Sequence, residues 1–192
     1  MLSFADPLPA RPRRVLVAGV TGSGKTTLAG RIAAVTGGPH TEIDAVHWGP
    51  GWTPRPEFLD EVRALADSPA WTTEWQYTAA RPLLADRADL LVWLDLPFYR
   101  VTMPALIRRT LRRRLRREAL WHGNVEPPLR RVLTDPEHIL RWAFATRHHY
   151  AERVPELTRT HQHLTIVRLR GRREVERWPA GPLTRACRLG AG

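Results

Sequence analysis

The chain has 192 residues, of which 43% are hydrophobic, and a formal net charge of +11 at pH 7. This length fits one domain, predicted to span residues 1–192, and the hydrophobic share excludes a disordered chain. No apolar run approaches the length needed to cross a bilayer, and residues 1–14 lack a signal-peptide pattern. We therefore expect a cytoplasmic protein without a membrane partner, and the charge favours ligands that carry phosphates or other anions.

The basic residues are almost all of one type, because 29 of the 30 are Arg and only Lys25 is Lys. Arg and Lys serve equally well on most solvated surfaces. The lone Lys therefore marks a position where a compact ammonium group is required.

Predicted strands and helices alternate along the chain. Apolar runs predict strands at 14–18, 41–44, 71–75, 90–94 and 164–169, and helical spacing predicts helices at 27–35, 57–66, 82–86, 101–118, 135–153 and 172–178. The alternation indicates an α/β fold with a parallel sheet, helices on both faces and a ligand at the carboxyl ends of the strands. The Pro-, Gly- and Arg-containing segment 179–192 is predicted to be a loosely ordered tail.

Residues 19–26, with the sequence GVTGSGKT, match the phosphate-binding pattern GxxxxGK[ST] between a predicted strand and a predicted helix. Glycines let backbone N–H groups surround the phosphates, Lys25 reaches the β- and γ-phosphates, and the Thr26 hydroxyl can bind magnesium. The motif predicts that the protein binds a nucleoside triphosphate, with ATP and Mg²⁺ as cofactors. The predicted nucleotide-binding residues are Gly22, Ser23, Gly24, Lys25, Thr26 and Thr27.

Three acidic residues follow or end predicted strands, namely Asp44, Glu74 and Asp95. A phosphate-binding loop places magnesium near a carboxylate at the end of a neighbouring strand, so Glu74 and Asp95 join Thr26 as candidate metal ligands. Each acid alone is equally well explained as an ordinary turn residue, but three at one sheet edge favour a site.

Seven of the ten residues from Arg108 to Arg117 are Arg. A mobile lid over a transferring phosphoryl group needs such charge, so we predict a lid at about 108–135, with Arg113 and Arg117 as candidate catalytic residues. A strip that binds nucleic acid and a merely solvated helix face are the alternatives.

Motifs along nearly the whole chain resemble the P-loop nucleotide kinase-like proteins described as adenylate kinase-related or "DNA topology modulation" proteins. The resemblance rests on the phosphate loop together with four further segments, IDAVHW at 43–48, WTTEWQY at 71–77, WLDLP at 93–97 and WHGN at 121–124. It implies a five-stranded sheet of order 2-3-1-4-5, an acceptor-side region at about 45–70 and an Arg-rich helical lid. By this resemblance Glu74 takes the magnesium and base role, Asp44 faces the acceptor, and Trp48 and Tyr77 belong to its site.

One departure bears on the acceptor. Adenylate kinases carry DGFPR where this chain has EWQY at 74–77, and their Arg binds the phosphate of the acceptor nucleotide, a role for which Arg81 is the nearest candidate. We predict an ATP-binding, Mg²⁺-dependent phosphotransferase with a small molecule or nucleotide as acceptor. The alternative is a nucleotide-regulated, nucleic-acid-binding P-loop ATPase, with simple NTP hydrolysis as the fallback reaction.

Overall fold

The computed structural model describes residues 1–132, 134–135 and 138–189. Four parallel strands form its sheet in the order β2-β1-β3-β4, with β1 at Arg14–Gly19, β2 at Trp71–Glu74, β3 at Leu90–Leu94 and β4 at Thr165–Leu169. In register, Val17 pairs with Glu74 on one side and with Val92 on the other. The carboxyl ends of these strands therefore share one edge, where parallel α/β sheets bind ligands.

The prediction of five strands in the order 2-3-1-4-5 was wrong. The predicted second strand, 41–44, does not form. The chain makes a single parallel bridge to the sheet here, between the adjacent His40 and Thr72, and Ile43–His47 form the short helix α2. The Ile43 N–H, which a ladder would need, donates instead to Glu74 Oε2 at 3.0 Å. The Glu74 side chain thus accepts the N–H that strand pairing would use, and the backbone continues as helix α2.

Helices cover both faces of the sheet, because alternate residues of each buried strand point to opposite sides. One core contains Leu16, Leu91 and Ile166, and the other contains Val17, Val92 and Val167. The other helices are α1 Lys25–Thr36, α3 Phe58–Asp67, α4 Ala80–Ala85, α5 Met103–Leu115, α6 Ile139–Ala145, α7 His149–Thr160, α8 Arg172–Arg177 and α9 Thr184–Leu189.

Two segments differ from the sequence expectation. The single helix predicted for 135–153 is replaced by α6 and α7, and His138 caps α6 through its Nδ1, which accepts the Leu140 N–H; Pro136 lies outside the described residues. The predicted loose tail forms a π-helical turn at Pro179–Leu183 and then α9, with Leu183 fully buried. Residues 190–192 also lie outside the described part.

Candidate functional site

The phosphate loop joins the end of β1 to the start of α1 at the carboxyl edge of the sheet. Gly22 and Gly24 have φ values of +84° and +96°, a left-handed backbone that favours glycine. A Cβ atom on Gly22 would lie 2.6 Å from the Cβ of Leu106, so the loop packs directly against α5. Ser23 Oγ is buried without a hydrogen-bond partner in the described chain. This free hydroxyl fits a loop built to receive phosphate oxygens.

Lys25 begins α1 and is 8% exposed. Its Nζ lies 3.4 Å from the carbonyl of Val20, within the loop. Burial lowers the pKa of Lys25 to about 8, against the opposing effect of the Asp44 and Glu74 charges, and the Arg109 charge lowers it further. Because the buried ammonium group is poorly solvated, a bound phosphate would stabilise its charged form.

Glu74 ends β2 beside the loop and is 2% exposed. Its Oε2 accepts the Ile43 N–H, and its Oε1 lies 3.5 Å from His40 Nε2, a distance and geometry that fall short of a good hydrogen bond. Burial alone would raise the pKa of Glu74, but interactions with His40, Ile43 and Thr26 outweigh it, so the pKa is lowered. Glu74 is therefore a carboxylate anchored beside Thr26, with one oxygen incompletely satisfied.

Asp44 lies on α2, across from Lys25. Its Oδ1 accepts the Tyr77 hydroxyl at 2.6 Å and the Gln76 amide at 3.0 Å. Burial raises the pKa of Asp44, although the Tyr77 and Gln76 hydrogen bonds and the Lys25 charge act in the opposite direction. The structure thus brings Asp44, Tyr77, Glu74 and Lys25 into one electrostatically coupled group.

A cluster of aromatic rings lies beside Asp44, joined to it through Tyr77. His47 stacks on Tyr77 with ring centroids 3.9 Å apart and meets Trp48 and Phe58 edge to face, each at 4.6 Å. Burial lowers the pKa of His47, which favours the neutral ring. Trp48 and Tyr77 thus lie in one aromatic cluster with His47, and their assignment to an acceptor site stays a prediction.

Arg81 does not join this group by its contacts. Its guanidinium bonds to Thr78 Oγ1 and lies 5.8 Å above the ring of Trp75, and burial and the charge of Arg153 lower its pKa. Its neighbours thus lie on the segment between β2 and α4 and on α7, and its assignment to the acceptor site stays a prediction.

The Arg-rich helix presents a different arginine from the two predicted. Arg109 shares charge interactions with Lys25, Asp44 and Glu126, and burial lowers its pKa. Its Nε has no hydrogen-bond partner among the described residues. Arg113, by contrast, pairs with Glu126 at 3.2 Å and Glu118 at 3.6 Å, and Arg117 is exposed beyond the helix end.

Asp95 occupies the other side of β1 from Glu74, because β2 and β3 flank that strand. Its Oδ2 accepts the Arg168 Nε at 2.8 Å, and the Arg168 guanidinium also covers the ring of Trp93. An ion pair therefore competes with the predicted metal role of Asp95. No group of three or more His, Cys, Asp or Glu residues placed to hold a metal occurs in the described chain.

Sequence reasoning missed two residues, Arg109 and Asn124. Arg109 could not be distinguished among seven neighbouring arginines. Asn124 joins the predicted lid to the acceptor side through its side chain, and it carried a usable signal, since it is the only Asn of the chain as Lys25 is the only Lys.

No protein-family model and no curated protein sequence matches this chain. Among solved structures it is similar to a gluconokinase from Sinorhizobium meliloti 1021, with 18% identity, 95% of each chain covered and a TM-score of 0.52. A sugar kinase from Janibacter sp. HTCC2649 has 23% identity, 93% of this chain and 92% of that chain covered and a TM-score of 0.45. A shikimate kinase from Acinetobacter baumannii, in complex with shikimate, has 16% identity, 92% and 89% coverage and a TM-score of 0.47.

The similarity to the gluconokinase, with a TM-score above 0.5, concerns the fold alone. The chain has an α/β fold with a parallel sheet and a phosphate loop, similar to the fold of that kinase. The narrower resemblance to adenylate kinase-related or DNA topology modulation proteins is not confirmed by it. No helix in the described ranges is long and apolar enough to span a membrane.

Proposed function

We propose that the protein transfers the γ-phosphoryl group of ATP to a hydroxyl group of a small molecule. The observation that carries this proposal is the position of the partly buried Asp44 carboxylate, which accepts hydrogen bonds from Tyr77 and Gln76 and lies close enough to the phosphate-loop Lys25 for each charge to shift the other's pKa. A carboxylate can also activate water for hydrolysis, but water needs no apolar surface. The aromatic rings of His47, Trp48 and Tyr77 beside Asp44 supply such a surface, which a second substrate would cover.

In the proposed reaction the acceptor oxygen attacks the γ-phosphorus, the bond to the β–γ bridging oxygen breaks, and ADP leaves. Asp44 takes the acceptor proton. A general base works best with a pKa near the working pH, and burial moves the pKa of Asp44 upward whereas the net effect on Glu74 is downward. Asp44 is therefore the proposed base rather than Glu74, the residue that the sequence resemblance implied.

Magnesium, when bound with the nucleotide, would neutralise charge on the phosphate oxygens. Thr26 and Glu74 are suited to hold it, because the Glu74 carboxylate is buried beside Thr26 and its Oε1 is incompletely satisfied. Ser23, with its free hydroxyl, and Lys25 face the phosphates. Arg109 then provides positive charge on the lid side, in the place of the predicted Arg113 and Arg117.

The test is a panel of labelled-ATP reactions with polyols, sugars, hydroxy acids, nucleosides and nucleotides as acceptors. The result expected is a phosphorylated product from at least one compact hydroxyl compound, with ADP formed in equal amount. Turnover to inorganic phosphate alone across the panel would contradict the proposal and favour a hydrolase.

Two variants separate nucleotide binding from transfer. Lys25→Ala is expected to abolish both ATP binding and turnover. Asp44→Asn is expected to keep ATP binding and to lower transfer by about 100-fold or more, the usual contribution of a general base. Full transfer activity in Asp44→Asn would reject the base assignment while leaving the kinase proposal open.

A further inference from the structure

Two chain segments on opposite sides of the acceptor region are joined by side-chain hydrogen bonds. We call residues 48–56 the acceptor loop and residues 119–126, which follow α5, the lid arm. Asn124 Nδ2 donates to the Gly49 carbonyl at 2.8 Å, and Asn124 Oδ1 accepts the Trp52 N–H at 3.0 Å. Asn124 is 5% exposed, so these two hydrogen bonds, which we call the Asn124 joint, are buried. Its one side chain satisfies two backbone groups of the facing segment.

Further contacts flank this joint. The Trp52 indole N–H donates to the Val125 carbonyl at 3.3 Å, and the Trp121 indole N–H donates to Glu42 Oε2 at 2.8 Å. The rings of Trp52 and Trp121 meet edge to face with centroids 6.3 Å apart. The lid arm is therefore fixed to both the acceptor loop and the residues that lead into α2.

The backbone on each side of the joint is unusual. Trp52 has φ +59° and His122 has φ +57°, and each stands beside a left-handed glycine, Gly51 or Gly123. Bulky residues seldom adopt this conformation, and they keep it only where surrounding contacts hold it. The hydrogen bonds that Trp52 donates to Asn124 and Val125 are contacts that hold it. The joint is thus a specific arrangement rather than an incidental meeting of two loops.

The lid arm also connects to the arginine that reaches the site. Glu126 pairs with Arg113, which lies one helical turn beyond Arg109 on α5, and the charge of Glu126 acts on Arg109 as well. The acceptor loop is therefore joined through Asn124 to the lid arm, and Glu126 of that arm is ion-paired with α5 one helical turn from Arg109.

We propose that Asn124 is a positioning residue which couples the acceptor loop to the lid. Arg109 and the aromatic cluster beside Asp44 then move as one unit. This inference rests on the proposed function only where it concerns transfer. It predicts that a nucleotide bound between the phosphate loop and the lid also stabilises the acceptor loop. Among the described residues no hydrogen bond joins the phosphate loop to the acceptor loop, so this stabilisation must pass through the lid arm.

Hydrogen–deuterium exchange tests the coupling directly. In the wild-type protein a non-hydrolysable ATP analogue with Mg²⁺ is expected to slow amide exchange in peptides covering 48–56 by threefold or more. In Asn124→Ala the phosphate loop should still be protected, with analogue affinity within about threefold of wild type, while protection of 48–56 is lost. Gln162→Ala, which removes an exposed side-chain amide elsewhere, is the matched control and should behave as wild type.

Trp121→Phe provides a second variant should Asn124→Ala fold poorly, because it removes only the indole N–H bond to Glu42 and keeps an aromatic ring. This variant is expected to lose part of the protection that the ATP analogue gives to the amides of 48–56. Equal protection of 48–56 in wild type and in both variants would overturn the coupling.

Transfer kinetics provide the functional half of the test. Asn124→Ala is expected to lower kcat for the acceptor found in the panel by tenfold or more, with the KM for ATP changed by less than threefold. An unchanged kcat alongside lost protection would overturn the positioning role. Absence of any acceptor would count against the proposed function, whereas the exchange experiment would still decide the coupling.

Discussion

At the scale of single residues, the site is built from groups that are poorly solvated in the free protein. Lys25 is buried, and Ser23 Oγ has no partner within the described ranges. Such groups cost stability until a ligand satisfies them. Residues that bind the nucleotide therefore lower the stability of the nucleotide-free protein, and replacing one of them should raise its free energy of unfolding.

Lys25→Met should stabilise the nucleotide-free protein. The folded-state pKa of Lys25, about 8, lies below the usual value near 10.5, so burying its ammonium group opposes folding at pH 7. The shift corresponds to about 3 kcal/mol of unfolding free energy that the Met variant regains. Between pH 8 and 10.5 the unfolded chain binds the extra proton, so the wild type gains stability with rising pH and the difference shrinks.

Urea unfolding of both proteins at pH 7 and pH 10 measures this difference. The same Lys25→Met variant should lose the stabilisation that ATP gives to the wild type. A variant less stable than wild type at pH 7 would show that Lys25 has good partners in the free protein.

Tyr77→Phe should move the pH dependence of transfer. The Tyr77 hydroxyl donates to Asp44 at 2.6 Å and stabilises the charged carboxylate, against the burial that raises the pKa of Asp44. Without that hydroxyl the pKa rises further, so Asp44 stays protonated to a higher pH. The acidic limb of the profile of kcat/KM against pH is expected to shift upward. Tyr99→Phe, at an exposed tyrosine, serves as the control, and a downward shift would contradict the proposed base.

At the scale of elements, the rotation of α5 about its axis decides which arginines face the site. Leu106 and Thr110 are buried, which turns Arg109 and Arg113 inward and leaves Arg108 and Arg112 exposed. Residues three and four apart share a helix face, so this division follows from the packing of Leu106 against Gly22.

Replacing Arg109 by Lys should lower kcat for transfer by about 100-fold, because a planar guanidinium in the site is not replaced by an ammonium group. Arg108→Lys, one residue away on the exposed face, should leave kcat within about twofold. Steady-state kinetics with the acceptor from the panel compare the two. Equal losses in both variants would indicate that the helix contributes only net charge.

The elements also show what the sequence could predict. The phosphate loop and the strands at 71–74 and 90–94 follow from local patterns, a contiguous motif and continuous apolar runs. The strand at 41–44 failed because Glu74, distant in sequence, takes the Ile43 N–H. Arg109 and the Asn124 joint depend on helix rotation and on contacts between residues more than 70 positions apart, which local spacing does not contain.

At the scale of the whole molecule, the charge of +11 is distributed unevenly with respect to the site. Among the arginines of α5 and its end, Arg108, Arg112, Arg116 and Arg117 are exposed. These four can attract any polyanion without reading its sequence, and such binding weakens steeply with salt.

Duplex DNA is therefore expected to bind only at low ionic strength, with affinity lost near 0.15 M salt, where the screening length is about 8 Å. The triple variant Arg108→Ser, Arg112→Ser, Arg116→Ser should flatten the salt dependence while leaving phosphoryl transfer within about threefold. Fluorescence anisotropy of a labelled duplex across a salt series measures the binding, and the labelled-ATP assay measures the transfer. Tight binding that persists at physiological salt would instead favour the nucleic-acid-binding ATPase.

The row of indoles at the joint has an optical consequence. Trp48, Trp52 and Trp121 meet in successive edge-to-face contacts, at 5.8 and 6.3 Å between ring centroids. Transition dipoles held this close in a fixed chiral arrangement couple, and coupled indoles produce paired circular-dichroism bands of opposite sign. The other tryptophans of the chain contribute a background that ligands should scarcely change. The protein therefore carries a built-in spectroscopic reporter of whether its lid arm and acceptor loop are in contact.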